Sequence, residues 1–470
     1  MTGARIPGPR PVPLLGARGN FLAFLTDAVA HLHRLHERYG EVAALARGDT
    51  GHVFVFSPRY NRVVLGDPDL FHNLDAASAP VRMPQDSSLR RLYAGLTTMN
   101  GEPHHRVRRL VAAALPRRHV ETYAGDITDV TARHLAGWHT GDRLDLLAEM
   151  RTLTMAVAVK TLLGLEPGAD GGPTGRLLQD WMDAVFSVPA MAMPLDVPGL
   201  PYHRLQTLSD RLERTVRDLI RRRRAGPSGG RDALARLIHA EERGVRLSDE
   251  ELVGQTAFLF MAGHATTAAA LAWTVLLLCA HPGVLHDLAD EVDGALRGAP
   301  PDAAGLAALP LLTRVVKESL RLLPPVAWWG KVSTAPCDLG PYRLEAGATV
   351  VFSPYVTHRL PELYPEPDRF APDRWLTCDP GPYEYLPFSA GPRACLGAGF
   401  AMLEMRLVLA MLLQRWRPQM RSGARIDRGG LMVLQPRPGL PVTLAPMAGR
   451  AAAARLRGTV VSTLDLDGSR

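Results

Sequence analysis

Cysteine is scarce in this chain: there are four in 470 residues, and no two form a CxxC pair. So few in so long a chain exclude a disulfide framework and point to a reducing, cytoplasmic setting in which one thiol is kept for chemistry. Clustered positive charge is scarce too. Lys and Arg outnumber Asp and Glu by 54 to 47, a net charge of +7, but the one tight basic run is Arg221 to Arg224. Nucleic-acid binding asks for a patch, so no nucleic-acid partner is expected, and a diffuse basic surface suits an acidic protein partner. A targeting segment is missing as well: Pro7, Pro9, Pro11 and Pro13 stand where an apolar signal or anchoring helix would have to run. There is no internal repeat and no Pro/Gly-rich linker long enough to divide the chain. What remains, 46% hydrophobic and 21% charged residues, is the balance of a globular protein with a sizeable core.

One stretch also lacks charge. From Leu252 to Leu285 there is no Asp, Glu, Lys or Arg, and the run is long enough to cross a bilayer. It carries Gly254, Gln255, Gly263, His264, Thr266 and Thr267, however, and polar groups at its midpoint would be costly in lipid. Ser248 with Glu251 three residues on is a capping box that fixes its start. The expectation is a buried central helix and no membrane.

Elsewhere, Ala23 to Tyr39 reads as an amphipathic helix, and Glu41 to Leu45 and His52 to Phe56 read as strands around a glycine turn. Residues 103–165 are helical with breaks at Pro116 and Gly141-Asp142. Strand-like pieces follow at 342–352 and a helix at 396–416. The Pro- and Met-rich segment Val188 to Pro201 is too broken for a helix and reads either as a flexible lid over a greasy pocket or as an irregular core connection. The sum is mainly α with a minority of β, in one large domain over 21–447. A proline-rich lead (1–20) precedes it, and a disordered Ala/Arg-rich tail (448–470) follows.

The stretch that carries chemistry is FSAGPRACLGAGFA, Phe388 to Ala401. It sets Cys395 between Gly391 and Gly397, with Arg393 two residues before it and a helix directly after. Glycines let a backbone approach a flat group, and the amides of a helix N-terminus stabilise an anionic sulfur. Cys279, Cys337 and Cys378 read as structural. Glu318 and Arg321, in KESLRL, share one helix face. In AGHATT, positions 262, 265, 266 and 269 share a face so small that something flat could lie against it, and Thr266 is its one hydroxyl, free to bond back to the Ala262 carbonyl. His104 and Arg108, in EPHHRVRRL, are likewise one turn apart.

FSAGPRACLG resembles the haem-binding loop FxxGxRxCxG of the cytochrome P450 family at every fixed position, and the other three motifs follow in that family's order. The resemblance spans nearly the whole chain. It implies the single large helical haem-thiolate fold and a monooxygenase that inserts one oxygen atom of dioxygen into a large apolar substrate. Haem b is the implied cofactor, with its iron on Cys395. Phe388, Gly391, Arg393, Gly397 and Ala262 would surround the haem. His104 and Arg108, with His105 as the competing histidine, and Lys331 would bind its propionates. Glu318, Arg321 and Arg374 of the PDRW segment would lock the loop as structural support. Thr266 would be catalytic, hydrogen-bonding dioxygen and helping to deliver protons. By the same likeness Phe258, Met261, Ala265, Val326, Trp328, Trp329 and Leu434 would line the substrate pocket. A polyketide, macrolide or terpenoid intermediate would be the substrate, with a ferredoxin and its reductase supplying electrons.

The sequence departs from the family at one position. An acid normally precedes the active-site threonine, and here that residue is Ala265. An ideal helix turns His264 about 200° away from Thr266, so it does not replace the acid. Ordered water or a substrate hydroxyl is expected to complete the relay. Two other readings stay open: a haem-thiolate binding or sensor protein, which would need the cysteine loop but not Thr266, and a peroxide-using, dehydrating or rearranging enzyme, which the missing acid favours.

Overall fold

The computed structural model describes residues 4–465 apart from 76–78, 80, 116, 169, 227–229, 243, 431 and 447–452. Helix accounts for 53% of it and strand for 12%, which makes the fold mainly α with minor β.

The uncharged run forms the axis of the molecule. Helix Asp249–Ala280 starts at the reciprocal bonds between Ser248 and Glu251, and it stops where Pro282 opens the next helix, Pro282–Leu296. Its most apolar stretch is 78% buried against other parts of the chain. Each fully buried Leu, Val or Phe there contributes roughly 1.5–3 kcal/mol of transfer free energy, so the apolarity is accounted for by the core.

Two hydrophobic clusters divide this helix between them. Its second half, Ala268 to Cys279, packs with Leu312, Val315, Leu407 and Leu412. Its first half, Leu252 to Phe260, packs with Leu89, Leu110, Leu178, Trp181 and Leu205. Residues 261–266 lie at the seam, and several of them are only half covered although they sit at mid-helix. A third cluster lies under a five-stranded sheet in the order Val42–Ala44, His52–Val55, Thr349–Phe352, Trp329–Ser333, Phe71–Asn73. Its one parallel pair is His52–Val55 with Thr349–Phe352.

Three sequence expectations need correction. The helix read over 23–39 is two, Ala17–Thr26 and Ala28–Tyr39, because Asp27 leaves helical geometry and caps the second through the Ala30 amide. The segment read as too broken for a helix holds a short one, Val188–Ala192, which tolerates Pro189 in its first turn. The tail read as disordered from 448 is packed over 453–465. Val460 is fully buried and Leu464 nearly so, and Thr459–Thr463 forms a 3-10 turn. The remainder of that tail, 448–452 and 466–470, lies outside the described residues.

Candidate active site

Cys395 sits in a loop closed by its own amide, which donates to the Phe388 carbonyl at 2.9 Å. The helix Ala398–Leu413 starts directly after it. Burial pushes the thiol up, while the amides of Gly397 and Ala398 and the Arg108 guanidinium pull it down. The side chain is nevertheless open to space of solvent size. Burial and openness together describe an internal chamber. Ala262, in the middle of the central helix, is also open to that kind of space.

The glycines of the loop play different parts. Gly391 has φ +70°, and a Cβ there would meet the Leu65 carbonyl oxygen at 2.3 Å. Its role is to press the loop onto the helix Pro58–Gly66 rather than to face a flat group, which corrects the expectation for it. A Cβ on Gly397 would touch only Cys395 Sγ, at 3.8 Å, and leaves that side of the sulfur uncrowded.

Behind the loop stands the expected lock, with more members than expected. Glu318 and Arg321 are both fully buried. Glu318 accepts from Arg321, from the Ala371 amide, from Arg374 Nε at 2.9 Å and from Trp375 Nε1 at 3.0 Å. Arg321 also donates to the carbonyls of His358, Pro367 and Arg369, so all five of its N–H groups are used. Burial alone would raise the Glu318 carboxyl, but the two arginines hold it below its usual range. Trp375 was overlooked although it completes the PDRW segment. His358 was overlooked too: it receives the Leu386 amide on Nε2 at 2.7 Å and faces the Arg321 carbonyl with Nδ1, tying the lock to the start of the loop.

On the central helix, Thr266 Oγ1 donates to the Ala262 carbonyl at 2.8 Å. With its proton engaged there, the hydroxyl presents lone pairs to the chamber. His264 turns away as expected. It is 1% exposed, stacked on Phe260 at 5.6 Å, and its imidazole is lowered to about 4 by burial and then by Arg151.

The decisive feature is a group of bases in which, among the described residues, the two buried members His104 and Lys331 are paired with no acid. His104 is 2% exposed, and its buried Nδ1 has no partner. Burial first, then Arg393, Arg108, His105 and Lys331, push it down to about 3. Lys331 is 3% exposed, has no acid paired with it among the described residues, and is lowered to about 7 by burial and then by Arg393. Arg393 donates to the Met99 carbonyl and to Asn100 Oδ1, Arg108 to the Ala394 carbonyl, and each keeps donors in reserve. His105 lies outward between Asp69 and Glu102. So many bases crowded together, with Asp69 acting on Arg393 from the outer side, are unfavourable by themselves. A flat ligand with two carboxylates would satisfy them and bring its centre over Cys395. These residues fit haem.

The cytochrome P450 family model matches residues 6–443. The chain belongs to the cytochrome P450 family. It is 32% identical over 433 residues to cytochrome P450 139 of Mycobacterium tuberculosis, covering 90% of this chain and 98% of that one. It is 31% identical over 423 residues to cyclooctat-9-en-7-ol 5-monooxygenase of Streptomyces melanosporofaciens, covering 87% and 88%. Retinoic acid bound cyanobacterial CYP120A1 shares the fold, with a TM-score of 0.79 at 24% identity over 95% of this chain and 100% of that one. This P450 is therefore a haem-thiolate monooxygenase.

The pocket residues assigned by likeness fall into three places. Phe258, Met261 and Ala265 pack, half covered, against the second cluster, as do Met191 of the short helix and Leu396 beside the cysteine. Trp328 and Leu434 line a separate cavity of about 340 Å³, together with Leu25 to Val29, Arg428 and Met432. Val326 is half-buried beside Ala327. Trp329, the first residue of the strand Trp329–Ser333, belongs with neither group and packs on the cluster under the sheet. Phe388 is half-buried against the main core, and its carbonyl holds the cysteine amide.

Proposed function

We propose that this P450 oxygenates a large, mostly hydrocarbon secondary metabolite of the polyketide, macrolide or terpenoid type, at a C–H or C=C bond. The observation that carries this reading is that Phe258, Met261, Ala265, Met191 and Leu396, the last next to Cys395 in the chain, are all partly covered apolar side chains packed against one hydrophobic cluster. Such a lining binds carbon skeletons and leaves orientation to a few polar contacts. The Streptomyces relatives, cyclooctat-9-en-7-ol 5-monooxygenase and cyclooctatin synthase, support a cyclic, alcohol-bearing skeleton.

Haem bound at Cys395 supplies dioxygen activation, favoured by the thiolate's electron push. The chain's own residues do the rest. His104, Arg108, Arg393 and Lys331 hold the carboxylate edge, and Glu318, Arg321, Arg374 and Trp375 fix the loop from behind. Thr266 Oγ1 accepts a hydrogen bond from a protonated group in the chamber. Ala265 offers no proton, and His264 is packed away, so water ordered at Thr266 or a hydroxyl of the substrate hands it on. A separate ferredoxin and its reductase bring electrons to the loop face, in the cytoplasm.

The test is a panel of ligands added to the ferric protein and followed by the Soret shift that accompanies loss of the iron's water. Cyclic alkenols and macrolide aglycones are expected to shift it, and charged or sugar-like compounds are not. A response confined to the charged set would overturn the substrate class. Product formed with hydrogen peroxide alone, and none with a ferredoxin system, would favour the peroxide-using alternative raised by Ala265.

A further inference from the structure

The family match ends at residue 443, and the packed segment 453–465 lies beyond it. The segment is tied at its ends to the Cys279 carbonyl, through the Ala454 amide, and to the Asp368 carbonyl, through the Asp465 amide, and between them it reaches the hairpin formed by Asp427–Gly429 and Gln435–Arg437 and the residues just before it. Just before the first strand, the Arg457 amide donates to the Ala424 carbonyl at 2.9 Å and the Ile426 amide to the Arg457 carbonyl at 2.8 Å. Asp427 accepts the Thr459 amide at 2.8 Å, and Thr459 Oγ1 accepts the Arg428 amide at 2.7 Å. Ser462 Oγ accepts from the Arg428 guanidinium at 3.3 Å, while Tyr355 Oη accepts from its other arm. Val460 and Leu464 anchor the segment in the main core.

A two-stranded hairpin with three residues a side is marginal unless something else pairs with it. On its inner side, Leu434 donates to the Pro325 carbonyl and accepts from Trp273 Nε1. On its outer side, the partner is segment 453–465. Between these two attachments the hairpin supplies Arg428, Gly429, Gly430, Met432 and Leu434 to the 340 Å³ cavity that also holds Trp328. Gly430 has φ +110°, and a Cβ there would meet the Val433 carbonyl oxygen at 2.0 Å, so only glycine fits at that position. The segment therefore sets where this wall stands.

We propose that residues 453–465 determine substrate preference, with Thr459 and Ser462 as positioning residues that act through Asp427 and Arg428. This rests on the reading that the cavity beside Trp328 takes part of a large substrate.

The test uses the full-length holoenzyme and its variants Thr459→Val, Thr459→Ser and Met432→Trp. Two probes are titrated by Soret shift: imidazole, which needs space only at the iron, and a bulky biaryl azole. In Thr459→Val, imidazole is expected to bind as in the unaltered enzyme while the azole binds about fivefold more weakly, the loss of one hydrogen bond. Thr459→Ser is expected to restore it, which a general loss of stability would not do. Hydrogen exchange at the Arg428 amide is expected to rise in Thr459→Val alone. If the azole binds equally to the Val variant and the parent, the positioning role is overturned. If Met432→Trp, which fills the cavity, leaves azole binding unchanged, the cavity reading itself fails.

Discussion

Thr266 illustrates how one hydrogen bond sets a residue's chemistry. Its proton is engaged by the Ala262 carbonyl, so toward the chamber the hydroxyl is an acceptor. A group that can only accept steadies a protonated partner and orders water, but it is not a proton source, and Ala265 beside it cannot be one either. Positioned proton transfer is worth on the order of 10²–10⁴ in rate, and on the proposed reading that work falls on water ordered at Thr266 or on a substrate hydroxyl. In Thr266→Ala, product per electron pair is expected to fall about tenfold or more while consumption of reductant continues, with peroxide accounting for the difference. Thr266→Ser should retain most of the coupling. Ala265→Glu introduces the missing acid next to the hydroxyl and should make turnover less sensitive to solvent deuterium. Equal rate and coupling in Thr266→Ala and the parent would remove the threonine from the relay.

Between elements, His358 joins two structures that the sequence shows only separately. Its neutral ring receives the Leu386 amide on Nε2 and gives Nδ1–H to the Arg321 carbonyl, so a second proton would destroy one of the two bonds. Burial is the first cause and the neighbouring arginines add to it, lowering the ring from 6.5 to about 3. The sign follows directly. Between those values the unfolded chain binds a proton that the folded chain refuses, so the contribution is complete above about pH 6.5 and is lost as pH falls toward 3. One such group gives a slope of about 1.4 kcal/mol per pH unit. In denaturant unfolding between pH 6 and 4, His358→Gln should be less stable at neutral pH but should lose stability less steeply on acidification. A parallel pair of curves would mean that the ring does not titrate on unfolding.

At the scale of the whole molecule, what the sequence revealed were contiguous patterns: the cysteine loop, the capped uncharged helix, and Glu318 with Arg321. What it hid depended on pairing across distance. Trp329 and Trp328 looked equivalent as neighbours, and only the fold shows that one faces the cavity and the other the sheet's underside. The tail looked disordered because its composition is small and charged, whereas its attachment consists of backbone bonds, the hydroxyls of Thr459 and Ser462, and buried side chains such as Val460 and Leu464. Net charge is the one global quantity the sequence states outright, and it carries the last prediction. An excess of +7 spread over the surface attracts an acidic electron donor over a distance set by salt. The screening length falls from about 10 Å at 0.1 M to about 3 Å at 1 M. Reduction of the substrate-bound enzyme by an acidic ferredoxin should therefore slow several-fold across that range. Reduction by dithionite should change far less in magnitude, which separates docking from effects on the haem site. A ferredoxin rate that holds steady or climbs with salt would mean that apolar contact, not charge, brings the donor to the loop face.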